Sequence, residues 1–150
     1  MIHKEQWGFN PEWLDYVKRT WVDGGRVQMI QEESKEANAF KERATQAFID
    51  NNIPVKKVKT WVSIQVPKEG EGYDIGYPHI HYPLNATTLV HYLQPGDNPA
   101  PLHIIVDDEV VEEVYPEQGL TVFMPNNLMH GVLKNNGTQD RIQLIATALR

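Results

Sequence analysis

Cysteine is absent from the 150 residues, which removes disulfides, thiolate nucleophiles and Cys-ligated zinc and fits a reducing compartment. No run approaches the roughly 20 apolar residues that span a bilayer, and Met1-Ile2-His3-Lys4-Glu5 lacks the apolar stretch of a secretory signal. Basic clusters are missing too. With 14 Lys+Arg against 20 Asp+Glu the net charge is -6, the wrong sign for tracking a phosphate backbone. Repeats and low-complexity tracts do not occur. These absences predict a soluble, cytoplasmic protein that takes neither nucleic acid nor membrane as a partner. What is present, 41% hydrophobic and 23% charged residues, describes a single domain over residues 1–150, and a chain of this length buries roughly 70% of its unfolded surface.

The texture changes near residue 54. Before it, Asn10-Pro11-Glu12 sets a capping side chain ahead of a proline at the first helical position, predicting a helix from Pro11 to about Trp21 that ends at Gly24-Gly25. From Val27 to Asn51 the apolar residues Met29, Ile30, Ala37, Phe40, Ala44, Ala47 and Phe48 recur at helical spacing, predicting a second helix that stops at Asn51-Asn52, ahead of Pro54. Residues 1–54 therefore read as an N-terminal helical region.

From Val55 the chain consists of β-branched runs between turn signals. Eight strands are predicted: Val58–Val66, Tyr77–Tyr82, Ala86–Gln94, Leu102–Val106, Glu109–Tyr115, Leu120–Met124, Met129–Lys134 and Arg141–Ala148. Short, evenly spaced strands over residues 55–150 suit a sandwich or barrel, and a jelly roll of about eight strands matches the size. The expected class is mostly β (α+β), with the N-terminal helices packed on the sheet.

Three of the six histidines stand out. His79 and His81 are two apart, so on a strand both side chains leave one face and converge on one ion. His130 follows the turn Pro125-Asn126-Asn127 about fifty residues later, where a strand can return beside the first. Imidazole suits iron, zinc, copper and nickel, and three protein ligands leave positions open for substrate. The plain alternative is an H-x-H pair that hydrogen-bonds on a surface. On the last strand Arg141, Gln143, Ile145 and Thr147 share one face and Ile142, Leu144, Ala146 and Ala148 the other. Arg141 points with the more polar set, where a planar guanidinium can clamp a carboxylate; its plain alternative is a solvated arginine at a strand end.

The order His79-Ile-His81-Tyr-Pro-Leu-Asn-Ala-Thr-Thr88-Leu-Val-His-Tyr92, then Gly119 through Pro125 to His130-Gly-Val, then Asp140-Arg141-Ile, resembles the double-stranded β-helix core of the 2-oxoglutarate and iron(II)-dependent oxygenases. It is most similar to their small prolyl-hydroxylase-like branch. The resemblance covers about Trp61 to Leu149. It implies Fe(II) held by His79, His81 and His130, with 2-oxoglutarate as co-substrate. It further implies that Arg141 holds the distal carboxylate of 2-oxoglutarate, with Tyr92 and Thr88 hydrogen-bonding to it. The substrate, a small molecule or a peptide, would be hydroxylated as 2-oxoglutarate is decarboxylated to succinate. His81 fills a slot that is acidic in most of the family, so the site carries one more unit of positive charge than usual. Asp107 or Asp108 would restore a carboxylate only if their turn folded over the site; otherwise they sit with Glu109, Glu112 and Glu113 on a solvated hairpin, at most a weak calcium site.

A second resemblance is to the cupins. Gly119 to Pro125 and His130 nearly spell the second cupin motif, and His79-Ile-His81 opens the first, but the glutamate a cupin supplies a few residues later is missing, and Arg141 has no task there. That reading gives a cupin-like metal-dependent enzyme or a small-molecule binder. A third is a metal-free interaction module on the same scaffold, and a homodimer through an open sheet edge is compatible with all three. His91 faces away from the proposed pocket, Trp7, Trp13 and Trp21 read as anchors onto a sheet, Trp61 reads as a pocket or interface residue, and His103 is left open.

Overall fold

The computed structural model describes residues 2–21, 26–31, 33–98 and 100–150. Helix α1 spans Pro11–Thr20; the Asn10 side chain accepts the amides of Glu12 and Trp13 at 3.0 and 3.3 Å, satisfying donors that have no partner inside the helix. The expected Gly24-Gly25 terminator lies outside the described residues. Helix α2 spans Lys35–Asp50, capped by Ser34 accepting Ala37 N–H at 3.0 Å, and it ends at Asn51 and Asn52 as the sequence predicts.

The start of the second helix is a correction. Val27–Met29 is not helical but a short strand, β2, and Ser34 is the true start signal, because its hydroxyl caps α2 while the residues before it are held by strand pairing. A strand at His3–Gln6, β1, was also not anticipated. The remaining strands are β3 Lys57–Gln65, β4 Thr87–Gln94, β5 Leu102–Val106, β6 Glu109–Val114, β7 Leu120–Pro125, β8 Met129–Val132 and β9 Arg141–Leu149. Tyr77–Tyr82, expected as a strand, is loop with a single antiparallel bridge from His79 to His130. Gly76, at φ 92°, and the prolines at 78 and 83 interrupt the run, and a proline cannot donate to a ladder.

Two antiparallel sheets result. The larger has the order β1-β7-β4-β9-β3-β2 and the smaller β6-β5-β8. Alternation assigns the faces of the larger sheet. On one side Val58, Val62, Ile64, Leu89, Leu93, Ile142, Leu144, Ala146 and Ala148 pack with Trp13, Val17, Phe40, Ala44 and Phe48 of the helices. On the other, Val90, Tyr92, Val122 and Met124 meet Leu102, Ile104 and Val114 of the smaller sheet. The helices therefore cover the outside of a sandwich, and the space between its sheets is left for a site. No described helix is long and apolar enough to cross a membrane.

Candidate metal centre

His79, His81 and His130 come together. Their ligand atoms all lie within 4.8 Å of one another, and among the described residues they form the one group of His and acidic side chains that could hold an ion. Two segments place them. The loop from residue 66 to 86 is docked through paired backbone bonds between His79 and His130, at 2.8 and 3.0 Å, and by His81 N–H donating to Asn126 C=O at 2.8 Å. Strand β8 presents His130 from the smaller sheet.

The donor chemistry fits a transition metal. Burial pushes the His130 imidazole down to about 4 and also lowers His79 and His81, so all three are neutral near pH 7, the form that ligates. His130 Nδ1 lies 2.9 Å from the Leu128 carbonyl. A carbonyl only accepts, so Nδ1 carries the proton and Nε2 keeps its lone pair. The Nε2 atoms of His81 and His130 are 3.0 Å apart; such a pair shares either a proton or an ion. His79 Nδ1 is buried and makes no hydrogen bond of ordinary geometry, while the Tyr77 backbone works against burial in setting the ring's pKa.

The centre opens into a cavity of about 530 Å³ between the sheets. Apolar side chains, among them Val90, Leu102, Met124, Val132 and Ile145, make much of its wall. Arg26 and Lys59 are its cations, and no Asp or Glu is among its described lining residues. Tyr92 and Thr88 both line it. Burial raises the Tyr92 phenol to about 12, opposed by the Arg141 charge. The Thr88 hydroxyl donates to Asn126 Oδ1 at 2.6 Å and stands 2.9 Å from Thr147 Oγ1, so its proton is already committed within the protein.

Arg141 is almost fully buried at the start of β9. It donates to Gln65 Oε1 at 3.1 Å and to the Ala100 carbonyl at 2.8 Å, and its Nε has no partner. Burial lowers its pKa. The guanidinium is not itself part of the cavity wall, but its partner Gln65 and its neighbour Tyr92 are. Gln143, Ile145 and Thr147 line the cavity and share Arg141's face, as the alternation predicts.

Other candidates lie elsewhere. His91 is on the helix side of β4, stacked on Trp7 with centroids 5.0 Å apart and edge-on to Trp13 at 5.5 Å. His103 hydrogen-bonds to Tyr73 at 3.0 Å. Asp107 and Asp108, at φ 52° and 63°, form the tight turn between β5 and β6 and do not join the histidines. Trp61 lines the cavity. Asn126 was missed as a functional position, because Pro125-Asn126-Asn127 reads as a turn. Its Nδ2 donates to Pro83 C=O at 3.0 Å, its Oδ1 takes the Thr88 proton and its carbonyl takes His81 N–H. One buried amide residue thus ties the loop to the sheet.

The two-sheet fold is similar to that of solved prolyl hydroxylases and of a protein of the 2OG-Fe(II) oxygenase family from Burkholderia pseudomallei. A Pseudomonas putida prolyl-4-hydroxylase aligns over 99% of this chain and 92% of its own, with a TM-score of 0.70 and 14% identity. A Trichoplax adhaerens prolyl hydroxylase, solved with a hypoxia inducible factor oxygen degradation domain peptide fragment, aligns over 99% and 83% with a TM-score of 0.72 and 12% identity. HygX from Streptomyces hygroscopicus, solved with nickel and 2-oxoglutarate, aligns over 98% and 81% with a TM-score of 0.67 and 10% identity. No protein-family model and no curated protein sequence matches the chain.

Proposed function

We propose that this protein is an Fe(II)- and 2-oxoglutarate-dependent oxygenase of the double-stranded β-helix type, acting on a small molecule or a peptide. The observation that carries the reading is the convergence of three neutral imidazoles in a cavity with no carboxylate among its described lining residues and a buried guanidinium behind its wall. His79, His81 and His130 would hold the iron, and Arg141 and Tyr92 the distal carboxylate of 2-oxoglutarate. The nickel and 2-oxoglutarate in HygX, on the same fold, support this assignment. A cupin-like site gains nothing here, since no carboxylate joins the imidazoles among the described residues.

When bound, the iron and 2-oxoglutarate supply the oxidation of a C–H bond by dioxygen, the co-substrate leaving as succinate and carbon dioxide. The chain's own part is binding, orientation and exclusion of water. Because three imidazoles bring no negative charge, a divalent ion here keeps both of its charges, which favours a dianionic co-substrate. With an ion between them, His81 and His130 would both offer Nε2 as ligand atoms, and the His81 proton would sit on Nδ1. Arg141 is pre-oriented by Gln65 and the Ala100 carbonyl, leaving its remaining N–H groups for a carboxylate at little entropic cost. The Tyr92 phenol, held protonated, donates. Val90, Met124, Leu102 and Ile145 keep water from the reacting centre.

The test is uncoupled turnover. Purified protein with Fe(II), 2-oxoglutarate and oxygen is expected to form succinate, followed by proton NMR. Chelation should stop it, and Arg141→Met should reduce it at least tenfold while leaving the circular dichroism spectrum unchanged. Succinate formation that persists in His130→Ala, or none in the wild type, would overturn the proposal.

A further inference from the structure

The cavity holds a cation that the proposed co-substrate does not use. Lys59, Trp61, Ser63 and Gln65 alternate along β3 and face the space between the sheets. Gln65 accepts from Arg141 and Ser63 is 3.5 Å from the Gln143 amide, so the inner two are occupied in the protein. The outer two are not. Lys59 and Trp61 are half-buried and line the cavity, and among the described residues neither the ammonium nor the indole N–H has a hydrogen-bond or ion-pair partner. Arg26, the other cation of the wall, is bound to Asp74 together with Lys68.

Register separates Lys59 from the buried guanidinium. Lys59 pairs with Thr147, and Gln65 with Arg141; six residues of extended chain put about 20 Å between the two ends. A five-carbon diacid with one carboxylate at the imidazoles and the other at Arg141 has none left for Lys59. A half-buried ammonium without an ion-pair partner, in a wall whose described residues include no Asp or Glu, is the electrostatic imprint of an anion that arrives from outside.

We infer that Lys59, with Trp61 two residues on along the same face of β3, binds an oxyanion group of the molecule to be oxidised, so that the substrate is an acid carrying a carboxylate or a phosphate. The inference rests on the oxygenase reading for what happens to that molecule, but not for the binding. Lys59 sets the position of the substrate from the β2–β3 side of the cavity, and the apolar wall between it and the imidazoles receives the part to be oxidised.

Ligand-observed NMR tests it, with zinc-loaded protein in saturating 2-oxoglutarate and benzoate, phenyl phosphate and benzamide as probes. At least one acid is expected to bind ten times more tightly than benzamide, and which acid does so separates carboxylate from phosphate recognition. Lys59→Met and Lys59→Gln should bring acids and amide to parity, Lys59→Arg should keep the preference, and 2-oxoglutarate affinity should not move in any of them. Equal binding of all three probes, no binding of either acid, or a preference surviving in both neutral variants would overturn the inference. Failure of 2-oxoglutarate to bind would instead strike the oxygenase reading, with the comparison between Lys59 and its neutral variants still decisive for the anion site.

Discussion

Asn126 shows how one residue can hold a site without entering its chemistry. Replacing it with alanine removes two side-chain hydrogen bonds, leaving the Thr88 hydroxyl only Thr147 and the Pro83 carbonyl only the Ala86 N–H, and a hydrogen bond of this kind contributes about 0.5–1.5 kcal/mol. Asn126→Ala is expected to lower the urea midpoint by an amount corresponding to about 2 kcal/mol and to weaken metal binding, because its backbone also anchors His81. His91 gives a second prediction at this scale. Burial takes its imidazole down to about 4, with the Arg43 charge adding to the effect, against 6.5 for an unhindered ring. The unfolded chain therefore binds more protons between pH 4 and 6.5, so stability is fully present above 6.5 and falls as pH drops through that window, by about 3 kcal/mol for this residue. Urea melts of the wild type and His91→Gln across pH 4–7 should show a shallower slope in the variant. At this scale the sequence was legible where residue type and spacing suffice: the three histidines it singles out do converge. Lys59 and Asn126 were not legible, since an unpaired lysine and a turn asparagine differ from ordinary ones only in what surrounds them.

Among the elements, the loop from residue 66 to 86 matters most, and its reading as partly strand was the main local error. Alternation in Tyr77–Tyr82 is genuine, yet one bridge to β8 is all that forms, because Gly76 and the flanking prolines break the ladder on both sides. The histidines still converge, held by that bridge, by Asn126 and by Asp74, whose carboxylate lies between Arg26 and Lys68. Short strands β1 and β2 escaped notice because edge pairing leaves little trace in three or four residues; β7 and β3 supply the partners. Gly131 is where loop and β8 press together: a Cβ there would stand 2.5 Å from the Tyr73 ring. Gly131→Ala should push the loop away from His130, costing about 1–3 kcal/mol by analogy with overpacked cores and reducing metal affinity more than a distant substitution of equal stability cost. Parallel thermal melts and metal titrations would check it.

On the scale of the whole molecule, the division into an N-terminal part with helices and a strand-rich remainder was visible because helical and strand periodicities differ so plainly. Strand order was not, since antiparallel pairings between distant segments depend on packing that no local pattern encodes. The fold brings His79 and His81 of the loop to His130 of the smaller sheet, so an ion there would tie the loop to that sheet only in the folded state. At a hundred times its dissociation constant such an ion adds about 2.7 kcal/mol, which for a chain of this size raises the melting temperature by roughly 5–10 °C. Chelator-treated protein should melt lower by that amount, and His130→Ala should not respond to metal.

Anaerobic calorimetry of 2-oxoglutarate against the protein with and without one equivalent of Fe(II) bears most directly on the central claim. One co-substrate per chain should bind when the metal is present, and binding should vanish on chelation, in His130→Ala and in Arg141→Met. Equal affinity without metal, or no binding with it, would contradict a centre built from three imidazoles and a buried guanidinium.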